Sequence, residues 1–345
     1  MTRPAVGKIA GLFVTQLFIL LHFRLVYRWK NPQSFTFVPM MNSMNTNSIK
    51  GHVAMITANM AWGLMAPLSK MAMSNPAISS WILVSFRVMG AAIAFWIASL
   101  FVKNEKVPRR DLMLLAVGSL LGIIMNQGVF ILGISYTSPI NASIVTTTLP
   151  IVVMVLAAIY LKEPITWLKF GGIVVGISGA LLLITTSNSA HGTIAGENNL
   201  LGIGLCFFSQ FCYATYFVLF KKTISKYHPV TLMKWMFLFA SMIYLPLNMR
   251  QLVSTDFSAV PANIFYDIAF VVFGGTFFGY LMIPIGQKNL RPTVATMYNN
   301  VQPIVASIAT IYWGMDTFGW NKIGSILLVF AGVYMVTRSR ARATP

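Results

Sequence analysis

The chain has 345 residues, of which 57% are hydrophobic and only 9% charged, and its formal net charge is +18. Soluble domains carry about 25% charged residues, so this composition excludes a water-soluble body and leaves a membrane protein. The positive charge does not indicate nucleic acid, because the basic residues sit in short segments between apolar runs and not on one face of a soluble fold.

Residues 1–48 form a tail unlike the rest. Ile9–Leu21 is apolar but too short to cross ~30 Å of hydrocarbon comfortably. Arg3 and Lys8 precede it in the manner of a signal peptide, yet no small-x-small cleavage site follows. Phe35–Asn47 is polar and unpatterned, and Met41 or Met44 would serve as an alternative start. The tail is read as a membrane-surface segment or a non-native extension.

Ten apolar spans follow, at roughly 51–71, 80–102, 112–134, 139–161, 167–185, 199–220, 231–249, 264–287, 293–313 and 320–337. The longest polar connection, Thr186–Asn199, separates two five-helix units at 49–187 and 199–338, and a basic tail closes the chain at 339–345. With the N-terminus placed in the cytoplasm, 20 of the 25 Lys and Arg residues fall in cytoplasmic segments; the others are Lys70, Arg87, Lys234, Arg250 and Lys322. That bias predicts both termini inside.

The two units are copies. A shift of 153 residues places Gly122 on Gly275, Gly133 on Gly286, Pro139 on Pro292, Pro150 on Pro303, Trp167 on Trp320 and Gly179 on Gly332. In the first span of each unit the shift is 151, which places Gly51 on Gly202 and Lys70 on Lys221. Because each copy has five spans, an odd number, the second enters the membrane from the opposite side. Inverted repeats are characteristic of secondary transporters, since two mirrored halves give inward-open and outward-open states of similar energy. A membrane scaffold that moves no solute, or a channel, is the alternative.

From about residue 51 to 337 the chain resembles the EamA-type branch of the drug/metabolite transporter superfamily. Ala61-Trp62-Gly63 with Pro67 and Lys70 resembles the opening pattern of that family. Arg87 stands where members often carry an arginine in the second helix. Tyr136 to Pro150 and Leu161-Lys162-Glu163-Pro164 resemble its fourth and fifth helices. The second copy departs, with Gly314-Met315-Asp316 in place of the usual Gly-Glu and no arginine matching Arg87. The resemblance implies export or exchange of small metabolites and does not specify which.

Depth selects the candidate solute residues. Asn59 and Trp62 lie one turn apart near the middle of the first span, and under the 151 shift they meet Gln210 and Tyr213. An amide beside an aromatic, repeated at equal depth, suits a solute pocket; an interhelical hydrogen bond is the bland alternative. Pro150 and Pro303 remove the helical donors for the carbonyls of Thr146 and Asn299. Around the second proline stand Tyr298, Asn299, Asn300 and Gln302, too polar to face lipid. Asn126 and Gln127 add a polar step in the third span. Arg87 lies about 10 Å into the second span and is either a ligand for a solute anion or bound to helix-end carbonyls. All are candidate solute residues, and Asn59, Trp62, Thr146, Gln210, Tyr213, Asn299 and Gln302 are expected to converge on one mid-membrane cavity with Arg87 at its outer side.

Other chemistries find little support. No phosphate-binding P-loop occurs, the seven acids lie in loops or near span ends, and the four histidines lie away from span centres. No cofactor or metal is called for, and Cys206 and Cys212, inside one span, suggest neither a disulfide framework nor a zinc site. The expected partners are a small-molecule solute and the lipid bilayer.

Overall fold

A computed structural model describes residues 46–136, 145–185, 199–258, 260–313 and 319–339, and all regular structure within them is helical. The helices are α1 (Thr46–Ala72), α2 (Ser80–Ser99), α3 (residues 109–136), α4 (Leu149–Tyr160) and α5 (Trp167–Thr185), then α6 (Asn199–Leu219), α7 (Pro229–Ser254), α8 (residues 262–289), α9 (residues 292–312) and α10 (Trp320–Arg338). A short helix, Lys221–Lys226, follows α6. Five helical segments are long and apolar enough to cross a membrane: Ser80–Ser99, Arg109–Val129, Leu200–Leu219, Pro229–Ser254 and Ala262–Asn289. Leu149–Tyr160, Trp167–Leu182 and Ile323–Arg338 are shorter apolar stretches.

The outside of the bundle is greasy. Leu100, Phe101, Leu247 and Val253 are more than 70% exposed, and Trp167 and Trp320 more than 80%. Apolar exposure on this scale marks a surface that meets lipid. The chain is therefore a multi-pass membrane protein.

Each half packs chiefly against the other. Helix α1 lies on α8 and α9, while α6 lies on α3 and α4; α2 pairs with α7, and α5 with α10. Individual contacts repeat under the sequence shifts. Gly133 abuts Cys206 and the carbonyl of Gly202, whereas its copy Gly286 abuts Met55 and the carbonyl of Gly51, the residues that occupy the positions of Cys206 and Gly202. Between α5 and α10, Gly172 faces the carbonyl of Gly332 and Gly179 faces that of Ser325, which are the same contact seen from each copy. Glycine lets the backbones approach this closely, and packing of this kind holds membrane helices together where lipid removes the hydrophobic drive.

Two features depart from the regular spans expected. Residues Leu120–Val129 of α3 and Phe270–Phe278 of α8 are π-helical, and the two stretches overlap under the 153 shift. Pro150 and Pro303 do not sit inside continuous helices. The chain breaks just before each: residues 147–148 form a turn ahead of α4, and Tyr298–Asn300 form a 3-10 turn within α9. A proline ring collides with the preceding helical turn, so the backbone opens there instead of kinking.

Basic residues gather at one end. Lys226 and Tyr227 bond Asp111, the amide of His228 donates to Glu105 (2.9 Å), and Lys288 bonds the carbonyl of Tyr227. Lys221 donates to the carbonyl of Leu290 (2.7 Å) and Arg291 to that of Ser339 (2.8 Å). Glu163 receives Lys169 (3.0 Å) and the hydroxyl of Thr293 (3.1 Å), which ties the end of α4 to the start of α9. Lys162 just before it takes a left-handed φ of 53°, a conformation that costs an L residue roughly 1–2 kcal/mol.

Candidate functional site

Side chains of both halves meet on the phenol of Tyr280. Gln127 of α3 donates its amide to the Tyr280 hydroxyl at 3.0 Å. Trp62 of α1 stands edge-on to the Tyr280 ring, with centroids 5.5 Å apart, and Phe237 packs on it at 5.1 Å. The Trp62 indole nitrogen donates to the carbonyl of Gly275 (2.9 Å), and Gly279 lies under the same ring. Tyr213 and Tyr216 of α6 are stacked with centroids 6.2 Å apart and are within electrostatic reach of Tyr280. Tyr244 of α7 donates to the carbonyl of Ile124 (3.1 Å) in the π-helical part of α3.

Arg87 reaches this cluster from α2. Its Nε donates to Thr276 Oγ1 at 3.0 Å, and the guanidinium interacts electrostatically with Tyr244 and Tyr280. Beside the cluster, Gln302 of α9 donates to Asn59 Oδ1 (2.8 Å), and Asn59 donates to the carbonyl of Met55 (2.7 Å).

The expected residues therefore fall into groups. Asn59 and Gln302 are joined, Trp62 and Gln127 share Tyr280, and Tyr213 and Arg87 adjoin it. Asn126 bonds the carbonyl of Ser209 (3.4 Å), and among the described residues Gln210 bonds only the hydroxyl of its neighbour Ser209 (3.4 Å). Thr146 is half-buried just ahead of the 147–148 turn, and Asn299 makes no side-chain hydrogen bond among the described residues. Two residues point elsewhere. Tyr298 pairs with His52 (2.7 Å) near the start of α1, and Asn300, 1% exposed, lies against Gly176 of α5.

Several members were not anticipated: Tyr216, Tyr244, Thr276 and Tyr280. The signal for Tyr280 was available, because the 153 shift places it on Gln127. Asp267, expected near a span end, is buried in the second turn of α8 at 8% exposure. Among the described residues no cluster of three or more His, Cys, Asp or Glu could hold a metal ion.

Some buried atoms have no partner within the described residues. They include Gln127 Oε1, the Tyr213 hydroxyl and both side-chain polar atoms of Asn300. In hydrocarbon such groups demand a ligand or water, since an unmet buried donor or acceptor costs about 1–3 kcal/mol.

Comparison with known proteins gives the family. The chain is 24% identical over 228 residues to the uncharacterized transporter YyaM of Bacillus subtilis, covering 66% of this chain and 74% of that one. It is 26% identical over 246 residues to an uncharacterized transporter of Archaeoglobus fulgidus, covering 70% and 84%. A WAT1-related protein of Arabidopsis thaliana, At2g40900, is 23% identical over 318 residues, covering 84% and 79%. A solved crystal structure matches with a TM-score of 0.71 at 12% identity, covering 86% of this chain and 97% of that one, which establishes the shared fold alone. The model of the EamA-like transporter family matches residues 49–185 and again 200–338, so the chain belongs to the EamA-like transporter family as a tandem of two copies.

Proposed function

We propose that this protein is a secondary transporter that moves a small polar metabolite, amino-acid-like or of similar size, across the inner membrane by alternating access, in export or exchange. In this reading α1 to α10 are ten spans. The units 49–187 and 199–338 are inverted about an axis in the membrane plane, both termini are cytoplasmic, and residues 1–40 are dispensable. The solute sits at the mid-membrane cluster around Gln127 and Tyr280, flanked by Trp62, Tyr213, Asn59 and Gln302.

The observation that carries the reading is the Gln127–Tyr280 hydrogen bond. These residues occupy the same position in the two copies and touch each other, so they mark where a repeat axis would cross the bundle. Transporter sites lie at the repeat interface near the midplane. There the unpaired Gln127 Oε1 and Tyr213 hydroxyl leave hydrogen-bonding capacity for a solute.

The test is counterflow in proteoliposomes with a panel of labelled metabolites. Uptake that saturates and is stimulated by unlabelled solute inside supports the reading. A folded, inserted protein that moves nothing would make it a scaffold, and non-saturating flux without counterflow would make it a channel.

A further inference from the structure

Arg87 is held in an unusual way. Its Nε is fixed by Thr276 Oγ1, and that hydroxyl donates in turn to the carbonyl of Val271 (2.8 Å), five residues back in the π-helical stretch of α8. Thr276 is wholly buried. The clamp grips one nitrogen only. The two terminal amino groups of the guanidinium make no hydrogen bond among the described residues.

Among the described residues no carboxylate answers them either. Glu105, Asp111 and Glu163 are tied at the basic end to His228, Lys226 and Lys169. Asp267 lies nine residues before Thr276, on the order of 13 Å along α8. The groups in electrostatic reach of Arg87 are the phenols of Tyr244 and Tyr280. The second copy offers no matching cation, with Leu238 and Ala240 at shifts of 151 and 153. The positive charge is thus present in one copy only at this position.

Around the phenol of Tyr280 gather aromatic rings and two buried atoms without partners. Trp62 and Tyr280 meet edge-on, Tyr213 lies beside Tyr216, and Gln127 Oε1 and the Tyr213 hydroxyl are buried without partners. A ligand that satisfies all of these has an anionic head, a flat or compact apolar body and a hydrogen-bonding group on that body. The planar guanidinium fork suits a carboxylate, which takes two parallel hydrogen bonds.

We propose that Arg87 is the head-group site of the transporter and that its solute is a small organic carboxylate, carried as the anion. This rests on the transport reading above and narrows it. The charge selects for the anion over the isosteric amide, while the aromatic groups accept the body with less discrimination.

The experiment uses the full-length protein in detergent, with thermal unfolding followed against a panel of aliphatic and aromatic carboxylates, phenylacetate among them, each beside its own amide. At least one carboxylate should raise the unfolding midpoint in a saturable manner and its amide should not. In Arg87→Gln that stabilisation should weaken at least about tenfold in apparent affinity, because a charged hydrogen bond is lost; Arg87→Lys should keep part of it. Thr276→Val, which frees Nε and keeps the charge, should weaken binding less than Arg87→Gln and shows whether a loss is due to misfolding. Acid and amide stabilising equally, no carboxylate stabilising, or undiminished binding in Arg87→Gln each overturn the proposal. Counterflow on the same panel separates the two levels. Carboxylate binding without counterflow sinks the transport reading and leaves the anion site, whereas counterflow of neutral solutes undisturbed by Arg87→Gln does the reverse.

Discussion

Gln127 and Tyr280, residues 153 positions apart and equivalent in the two copies, are hydrogen-bonded to each other at 3.0 Å. Equivalent residues meet only where the repeats cross. The pair is not symmetric in chemistry, because an amide in one copy answers a phenol in the other. Gln127 Nε2 donates to the phenol and Oε1 is left over.

Removing the phenol hydroxyl should expose that asymmetry. Tyr280→Phe leaves the whole Gln127 amide unpartnered and should destabilise the protein by about 1 kcal/mol, since interhelical hydrogen bonds in membranes average ~0.6 and seldom exceed ~1.7. Gln127→Leu with Tyr280→Phe should be less than additive. Thermal unfolding of the two singles and the double measures the coupling, and full additivity would mean that the 3.0 Å contact carries no energy.

Symmetric glycines should not respond symmetrically. A Cβ on Gly133 would lie 3.0 Å from the backbone nitrogen of Cys206 and 3.0 Å from the carbonyl of Gly202. On Gly286 it would meet chiefly the side chain of Met55, which is flexible. Gly133→Ala should therefore cost about 1–3 kcal/mol, as overpacking does, and Gly286→Ala clearly less. The yield of monodisperse protein after heating reads this order, and the reverse order would contradict the assigned contacts.

His228 supplies a pH dependence at the basic end, outside the spans. Its ring nitrogen caps α7 by accepting from Val230 N at 3.3 Å. Partial burial and the nearby Lys288 hold the imidazole below its usual range, and Glu105 opposes them. A group whose folded pKa is lowered contributes stability above its unfolded value, near 6.5, and loses it as pH falls through the folded one. The unfolding midpoint should thus decline as the medium is taken from pH 7 toward 5. His228→Asn, which keeps a capping side chain, should flatten that part of the profile.

Legibility varied with the kind of information needed. The repeat register was plain because glycines and prolines mark backbone events that both copies must share, and the family resemblance holds over both. The place of the helix breaks was likewise written in Pro150 and Pro303. Azimuth was not. Asn300 is as polar as Asn299, yet it faces Gly176 of α5, and no spacing rule decides which side of a 3-10 turn looks inward. Tyr298 met a histidine discounted for its place at a span end. Tyr280 was passed over because a tyrosine within an apolar run resembles ordinary filler until its partner is known. The π-helical stretches of α3 and α8 carry no distinctive residue pattern at all.

The sharpest test of the solute site compares two glutamines. Gln302 of α9 bonds Asn59 of α1 at 2.8 Å. Under the repeat, Asn59 corresponds to Gln210 of α6 and Gln302 corresponds to Leu149 of α4. The symmetric bond therefore cannot form in the other half, and Gln210 has only a 3.4 Å contact with the adjacent Ser209. Gln302→Leu leaves Asn59 Oδ1 without its donor in the core and should lower stability by about 1 kcal/mol along with any loss of transport. Gln210→Leu removes no bond between helices, so the protein should remain inserted with its unfolding midpoint little changed. If Gln210 handles solute, counterflow should nevertheless fall by an order of magnitude or more, the cost of one well-placed hydrogen bond of about 1.4 kcal/mol. Normal counterflow in Gln210→Leu would remove that residue from the site, and a fall matched by an equal loss of stability would make it structural.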